Sequence, residues 1–251
     1  MKVSIITAVY NREKTIRSAI DSVVQQDYAN IEYVVVDGGS TDGTIDVINQ
    51  NSQQIDQFVT GPDDGIYDAL NKGIELATGD VVGFLHADDV LHDCHAVERI
   101  VKGFQENKKV DFVYGDLLYV DAENPLKVVR YWKSGEYSTS KIRWGWMPAH
   151  PTFYLKREKY LELGAYRDDF EISADYELMI RMIMRHQLQG QYVPEILVDM
   201  KVGGKSNSSL TNRKTANRED QLAWEVNQLR PPWGLRLWKP LRKLPQYFLR
   251  P

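Results

Sequence analysis

The chain has 251 residues, of which 43% are hydrophobic and 26% charged, a composition typical of a soluble globular protein that can bury a core. Its single cysteine, Cys94, excludes an intrachain disulfide and favours a reducing compartment. The N-terminus lacks the pattern of a secretory signal, and no apolar stretch approaches the roughly 20 residues of a membrane-spanning helix, so we expect a cytoplasmic protein.

Charge is distributed unevenly along the chain. The formal net charge is −4, yet residues 201–251 hold eleven Lys/Arg and three Asp/Glu. That segment therefore carries +8, and the first 200 residues carry −12. An acidic body followed by a basic segment indicates that the two parts meet different surroundings.

In the first third of the chain, apolar runs rich in β-branched residues alternate with helical periodicities. These patterns predict strands at 3–9, 31–36, 57–60 and 81–85, and helices that begin at 15, 44 and 66. Gly79 is expected to end the third helix as a C-cap glycine. Because the strands show no sustained polar–apolar alternation, we expect a mostly parallel sheet covered by helices on both faces.

The second half is less regular. Its patterns predict extended segments at 112–120 and 127–132, a helix at 157–163 closed by Gly164, a helix at 174–184 and a polar loop at 203–217. Because no repeat or linker is visible, the sequence favours one continuous domain with a C-terminal extension.

Polar residues follow three of the predicted strands, at 7–11, 37–42 and 86–89. The carboxyl ends of parallel strands share one edge of a sheet, where ligands bind in such folds. Asp37 is either a turn residue or helix cap, or a ligand-binding residue. Since Thr41 or Asp42 can cap the following helix, Asp37 is left without a structural role. The chain has neither G-x-G-x-x-G after the first strand nor a P-loop, which disfavours those nucleotide sites.

Two further acidic positions are candidates for chemistry. Asp88 and Asp89 follow a buried strand, and their mutual repulsion would be relieved by a divalent cation such as Mg²⁺ or Mn²⁺; a solvated turn is the alternative. Asp175 lies at a predicted helix start, where it either interacts with the helix dipole or stays ionised to act as a base.

Taken together, these pieces resemble the family 2 glycosyltransferases, inverting enzymes of the GT-A fold. The resemblance covers about residues 2–200, and bacterial enzymes that build colanic acid, O-antigen or capsule repeat units are especially similar. The matching stretches are SIITAVYN from Ser4, VDGGSTDGT from Val36, DGIYDALNKG from Asp64, ATGD from Ala77, HADD from His86 and SADY from Ser173.

The resemblance implies an α/β GT-A fold with a mostly parallel, Rossmann-like sheet. Its nucleotide-sugar half would span about 1–110 and its acceptor half about 111–200, followed by a loop and a basic amphipathic extension over 201–251. Implied nucleotide-binding residues are Thr7, Ala8, Tyr10, Asn11, Asp37, Asn71 and Asp88. Asp37→Ala should then weaken donor binding well before it weakens folding.

The resemblance also implies Asp89, with Asp88, as ligands of Mg²⁺ or Mn²⁺, and Asp175 as the catalytic base. Two positions depart from the family pattern. Ala174 stands where the family often has Glu, so the base rests on one carboxylate. His86 stands at the first acidic position of the D-x-D-like element, where it is either a metal ligand or a hydrogen-bonding residue at a strand end.

The implied reaction is the transfer of a hexosyl or N-acetylhexosaminyl group from a nucleoside diphosphate sugar, expected to be a UDP-sugar. The expected acceptor is a hydroxyl of a lipid-diphosphate-linked glycan in bacterial surface polysaccharide synthesis. A sugar nucleotidyltransferase is one alternative, although TAVYNREK is not the glycine-rich loop with an arginine that such enzymes carry after the first strand. A non-catalytic nucleotide-sugar or carbohydrate-binding module is the other.

His150 and Trp146 lie in an aromatic-rich stretch and are expected either to contact the acceptor or to pack in the core. In the segment 230–251, six Arg/Lys and no acid accompany Trp and Leu residues at near-helical spacing. This pattern predicts binding to an anionic membrane surface, at the inner face of the cytoplasmic membrane; a basic cover on the acidic body is the alternative. Because the body is acidic and no recognised motif is present, we expect no nucleic-acid partner.

Overall fold

The computed structural model describes residues 1–202 and 210–249. In the first half, four strands form a parallel unit in which β1 lies between β2 and β4, and β3 lies beside β2. The mostly parallel sheet is thereby confirmed where the sequence pattern predicted it. The elements are β1 (Val3–Val9), α1 (Ile16–Val24), β2 (Ile31–Asp37), α2 (Thr44–Gln50), β3 (Gln57–Thr60), α3 (Ile66–Leu76) and β4 (Val81–Phe84).

The second half extends the same sheet with strands of both directions, in the order β3-β2-β1-β4-β8-β6-β9-β5, with β7 beside β6. β8 is antiparallel to both β4 and β6, whereas β6 and β9 are parallel. The elements are β5 (Val90–Leu91), α4 (Ala96–Glu106), β6 (Phe112–Val120), β7 (Val128–Trp132), α5 (Thr139–Arg143), β8 (Tyr154–Lys156), α6 (Arg157–Leu163), α7 (Ala174–Met179), its π-helical continuation (Ile180–Arg185) and β9 (Gly190–Lys201).

The C-terminal segment contains helices α8 (Leu210–Val226) and α9 (Leu235–Leu241). The predicted loop is therefore wrong for residues 210–217, while residues 203–209 lie outside the described part of the chain. Trp224 of α8 is fully buried, and its indole nitrogen donates to the Tyr176 hydroxyl at 3.0 Å. Core packing thus continues past the expected boundary near residue 200. None of the described helices is long and apolar enough to cross a membrane.

Apolar side chains fill both faces of the sheet. Ile6 and Val34 belong to a cluster on one face that includes residues of α3, α7 and α8. Ile5 and Val35, their chain neighbours, belong to a cluster on the other face with residues of α1 and α4. Because both faces are covered, the strands appear in the sequence as continuous apolar runs.

Gly79 has a different role from the expected helix cap. α3 ends at Leu76, and Gly79 lies where a Cβ would come within 2.7 Å of the Ser4 amide nitrogen and 2.9 Å of the Lys2 carbonyl oxygen. The close approach of this turn to β1 therefore requires glycine. Gly164, with φ of +89°, does follow α6 as predicted.

Candidate functional site

The carboxyl ends of the first strands lie side by side, as the sequence predicted. Val9 at the end of β1 pairs with Asp37 at the end of β2, and Asp37 pairs with Thr60 of β3. Just beyond β1, the Tyr10 side chain is 56% exposed. Asn11 follows in a left-handed conformation (φ 51°), and its side-chain oxygen accepts a hydrogen bond from the Thr41 amide at 2.8 Å. Asn11 thus ties the end of β1 to the loop after β2.

Asp37 has the structural role that the sequence did not reveal. Its carboxylate is 1% exposed, and Oδ2 accepts hydrogen bonds from the amides of Gly39 and Ser40, each at 3.0 Å, and from the Thr60 hydroxyl at 2.7 Å. Oδ1 accepts a hydrogen bond from the Ser40 hydroxyl. Asp37 therefore does have a structural role, contrary to the prediction, because its carboxylate holds the glycine-rich loop.

A second carboxylate, Asp63, faces that loop. A Cβ added to Gly38 would lie 2.3 Å from Asp63 Oδ2, so this carboxylate occupies the space that a side chain at position 38 would take. Asp63 Oδ1 accepts from the Gly65 amide at 3.0 Å, whereas Oδ2 has no donor among the described residues. The sequence analysis missed Asp63; its signal is its place just after β3, at the same edge of the sheet.

Two residues that were expected to bind nucleotide, Thr7 and Asn71, instead use their polar groups in hydrogen bonds within the chain. The Thr7 side chain is fully buried, with its hydroxyl 3.1 Å from the Tyr33 hydroxyl. The Asn71 amide group donates to the Tyr166 carbonyl at 2.8 Å and accepts from the Tyr166 amide at 2.9 Å. The polar groups of Thr7 and Asn71 therefore already have partners within the chain, and Ala8, which is 9% exposed, has no polar side-chain group.

The DGIYDALNKG stretch instead joins the two halves of the molecule. Besides the Asn71 contacts with Tyr166, the Tyr67 hydroxyl donates to the Ile172 carbonyl at 2.6 Å. Both partners lie in the loop between α6 and α7. α3 thus fixes the chain segment that leads to Asp175.

Asp89 is a buried carboxylate without a hydrogen-bond partner. It is 1% exposed, and neither oxygen has a donor among the described residues. Burial raises the pKa of Asp89 well above its usual range, the charge of the half-buried Asp88 raises it further, and the nearby backbone and charge of Lys201 only partly oppose this effect. Such a group must be neutralised by a proton or by a cation. A pair of carboxylates with free oxygen atoms fits a hard divalent cation, which prefers oxygen ligands.

Two histidines lie near this pair, of which His150 is buried and His86 is half-buried. Burial lowers the pKa of His86 and lowers that of His150 to about 3. The two ring centroids are 5.8 Å apart, and His150 Nε2 lies 2.6 Å from the Tyr166 hydroxyl. Trp146 is 6% exposed and donates from its indole nitrogen to the Ser134 carbonyl at 2.8 Å. His150 and Trp146, which were expected either to contact the acceptor or to pack in the core, therefore pack in the core.

Asp175 lies in the first turn of α7 and is half-buried. Its Oδ1 accepts from the Tyr176 amide at 2.8 Å. Burial raises the pKa of Asp175, and the charge of Lys239 only partly opposes this effect. The sequence analysis expected the helix start to keep this carboxylate ionised, but burial has the opposite effect. A carboxylate with a raised pKa is a stronger proton acceptor.

The loop before Asp175 is held by a residue that the sequence analysis missed. The buried Glu219 carboxylate of α8 accepts from the amides of Glu171, Ile172 and Ser173 at 2.8, 2.9 and 2.7 Å. α8 has weak apolar periodicity, so the sequence offered little sign of a helix there. Glu219 therefore fixes the backbone just before Asp175 from α8, a helix whose first residues, 210–217, were predicted to be part of a loop.

Comparisons with known proteins agree with this architecture. Two solved structures each cover 98% of the chain: S. aureus TarS 1-349 in complex with UDP-GlcNAc (TM-score 0.68, 16% identity, 78% of that chain) and the Pyrobaculum calidifontis mannosyltransferase PcManGT in complex with GDP-Man and Mn²⁺ (TM-score 0.69, 20% identity, 73% of that chain). At these identities the likeness shows the fold, which is the expected GT-A fold.

Sequence comparison goes further than the fold. The chain is 28% identical over 209 residues to the PGL/p-HBAD biosynthesis glycosyltransferase of Mycobacterium bovis (strain BCG / Pasteur 1173P2), a match that covers 82% of this chain and 79% of that protein. The profile of the family described as "Glycosyl transferase family 2" matches residues 4–170, which is more than half of the chain. The matched region holds the sheet edge with Asp37, Asp88 and Asp89, and the chain belongs to glycosyl transferase family 2.

Proposed function

We propose that this glycosyltransferase moves a sugar from a nucleoside diphosphate sugar to a hydroxyl of a glycan acceptor, with inversion at the anomeric carbon. One observation carries the proposal. The Asp89 carboxylate is buried, and neither of its oxygens has a hydrogen-bond donor among the described residues. Asp89 is thus a candidate cation ligand and Asp175 a candidate base, and such a transfer needs both groups.

The nucleotide would lie at the carboxyl ends of β1, β2 and β3. The exposed Tyr10 ring can stack on a base, and the free Oδ2 of Asp63 can accept the imide N–H of uracil. Asp37 would act indirectly, by holding the loop that Asp63 faces. A UDP-sugar of the hexosyl or N-acetylhexosaminyl class is therefore the proposed donor, in line with the UDP-GlcNAc bound to the S. aureus neighbour.

Asp89, together with Asp88, would hold Mg²⁺ or Mn²⁺. The fit rests on the two buried Asp89 oxygens that have no donor among the described residues, and on the Mn²⁺ named in the archaeal neighbour. Bound there, the cation supplies positive charge against the diphosphate leaving group.

Asp175 would accept the proton of the acceptor hydroxyl as that oxygen attacks the anomeric carbon from the face opposite the diphosphate. A carbon–oxygen bond to the acceptor forms while the bond to the diphosphate breaks, so no protein nucleophile is needed. Glu219 and Tyr67 support this step by fixing the backbone on either side of residue 172. The rate of the reaction depends on the correct position of the catalytic base as well as on its pKa.

The acceptor proposed is a lipid-diphosphate-linked glycan of a bacterial surface polysaccharide, met at the inner face of the cytoplasmic membrane. Apolar side chains exposed on the C-terminal segment support contact with a membrane surface: Trp233, Leu237 and Phe248 are 85%, 63% and 85% exposed. Basic residues of the same segment would add attraction to anionic lipids.

A panel of nucleoside diphosphate sugars with Mg²⁺ or Mn²⁺, read by release of free nucleoside diphosphate, tests the proposal. Asp175→Asn should lower turnover by about 10²–10⁴-fold with nucleotide binding retained. Asp168→Asn, at an exposed carboxylate nearby, is the matched control and should keep full turnover. Full activity of Asp175→Asn would remove the base assignment. Release of pyrophosphate from a nucleoside triphosphate and a sugar phosphate would instead identify a nucleotidyltransferase, and binding without turnover a non-catalytic module.

A further inference from the structure

The C-terminal segment packs against the walls of the proposed active site. Lys239 of α9 lies 2.6 Å from Asp220 Oδ1, and its ammonium group is 3.7 Å from the centre of the ring of Tyr176, the residue after Asp175. The packing is tight, because a Cβ added to Gly145 would come within 2.9 Å of the Lys239 backbone. The segment is therefore docked beside the candidate base.

The same C-terminal segment also contacts Arg130 of β7. Gln246 accepts a hydrogen bond from Arg130 Nε at 2.8 Å. The Arg130 guanidinium lies 4.2 Å from the ring centre of Tyr119 and 5.7 Å from that of Tyr247. Arg130 is only 7% exposed, yet its Nη2 has no hydrogen-bond partner among the described residues. A buried guanidinium with a free donor is suited to an anion.

Lys243 adds a third positive charge to this region. It is half-buried and forms no ion pair with any described residue. Burial lowers the pKa of Lys243, and the charges of Lys239 and Arg130 lower it further, against a smaller opposing effect of Asp220 and Asp175. Of the two nearby acids, Asp220 already pairs with Lys239. Arg130 and Lys243 therefore have no acidic partner in an ion pair among the described residues.

We propose that Arg130, Lys239 and Lys243, called here the tail cations, form a binding site for a diphosphate group beside Asp175. The guanidinium can bind phosphate oxygens through two donors, and the two ammonium groups supply point charges. The inference rests on the proposed function, in which two substrates contain a diphosphate: the nucleotide donor and the lipid-linked acceptor. Either diphosphate would neutralise the tail cations, and the C-terminal segment would thus complete the active site.

Lys243→Met tests the tail cations, because Lys243 is half-buried and forms no ion pair with a described residue, so methionine removes its charge and keeps most of its packing volume. Calorimetric titrations with UDP, UMP, inorganic pyrophosphate and farnesyl diphosphate, each with Mg²⁺, distinguish the diphosphate of the donor from that of the acceptor. We expect binding of at least one diphosphate to weaken by roughly tenfold to a hundredfold, the range for a hydrogen bond to a charged group. Lys243→Arg should retain most of the affinity, and UMP binding should change little.

Arg242→Met is the matched control, because Arg242 is the adjacent, exposed cation of the same segment. Weakened UDP binding in Lys243→Met would assign the site to the donor, and weakened farnesyl diphosphate binding alone would assign it to the acceptor. Affinities for UDP, pyrophosphate and farnesyl diphosphate that match those of Arg242→Met would overturn the inference. Pyrophosphate binding that depends on Lys243, in a protein that binds no nucleotide, would keep the tail cations and remove the proposed function.

Discussion

Replacing Asp37 by alanine should destabilise the protein rather than simply weaken ligand binding. The substitution removes four hydrogen bonds from a carboxylate that is 1% exposed, two of them from the amides of Gly39 and Ser40. The Ser40 and Thr60 hydroxyls can rotate to other partners, but the two amides cannot. Leaving each amide without a partner costs about 1–3 kcal/mol, so we expect a loss of about 2–6 kcal/mol in the free energy of unfolding.

Such a loss is large against the roughly 5–15 kcal/mol that stabilises a typical domain. Urea unfolding followed by tryptophan fluorescence measures it, with the slope against urea concentration used to check that the native state is otherwise unchanged. Asp63→Ala is the comparison. Asp63 is half-buried and loses only the hydrogen bond from Gly65, so we expect less than about 1 kcal/mol of destabilisation.

In UDP binding the order of the effects should be reversed, with a larger loss for Asp63→Ala than for Asp37→Ala. Asp63→Ala removes the proposed partner of the base and should weaken binding by about tenfold or more, the lower limit for a hydrogen bond to a charged group. If Asp37→Ala kept its unfolding free energy within about 1 kcal/mol and lost UDP binding, while Asp63→Ala bound UDP normally, our structural account would be refuted. The sequence-based role of Asp37 would then be correct.

Three further outcomes are expected. Because burial raises the pKa of Asp89 above its unfolded value, stability without a cation should fall as pH rises from about 4. Asp89→Asn should reduce this slope in urea titrations with EDTA, while the part due to Asp175, whose pKa is also raised, should remain; an unchanged slope would show that Asp89 does not titrate in this way. Glu219→Gln should lower kcat by about tenfold with UDP affinity retained, whereas Glu225→Gln, an exposed change on the same helix, should match the wild type in both assays. Replacing both Trp233 and Phe248 by serine should reduce sedimentation with anionic lipid vesicles and leave the unfolding free energy within about 0.5 kcal/mol, because both side chains are 85% exposed; equal sedimentation would contradict membrane contact.

The parallel strands were predictable because burial on both faces leaves an unbroken apolar run. β1 and β3 begin and end where the pattern placed them, and β2 is one residue longer, since Asp37 still pairs with Val9 and Thr60. α8 was missed for the opposite reason. Its stability depends on a few long-range contacts, such as those of Trp224 and Glu219, which leave no periodic signal in the sequence.

The candidate site was predictable only in part. The positions of Asp89 and Asp175 follow from the strand and helix that each of them adjoins. Thr7 and Asn71 were assigned to the nucleotide because they lie in matching stretches, but only the structure shows that their polar groups bind other parts of the chain. Asp63 is recognised as a candidate only because its carboxylate occupies the space beside Gly38. This contact joins two loops that are distant in sequence, so no local pattern indicates it.

Helix α3 connects the proposed nucleotide site with the chain segment that leads to Asp175. It begins at Ile66, directly after Gly65, whose amide holds Asp63, and one residue later Tyr67 holds the carbonyl of Ile172, close to Asp175. The contact that would bind the nucleobase and the contact that would orient the catalytic base Asp175 are thus less than two helical turns apart on one rigid element. A shift of this helix on nucleotide binding would move the acceptor side in the same direction, so the order in which donor and acceptor bind is a property that α3 can control.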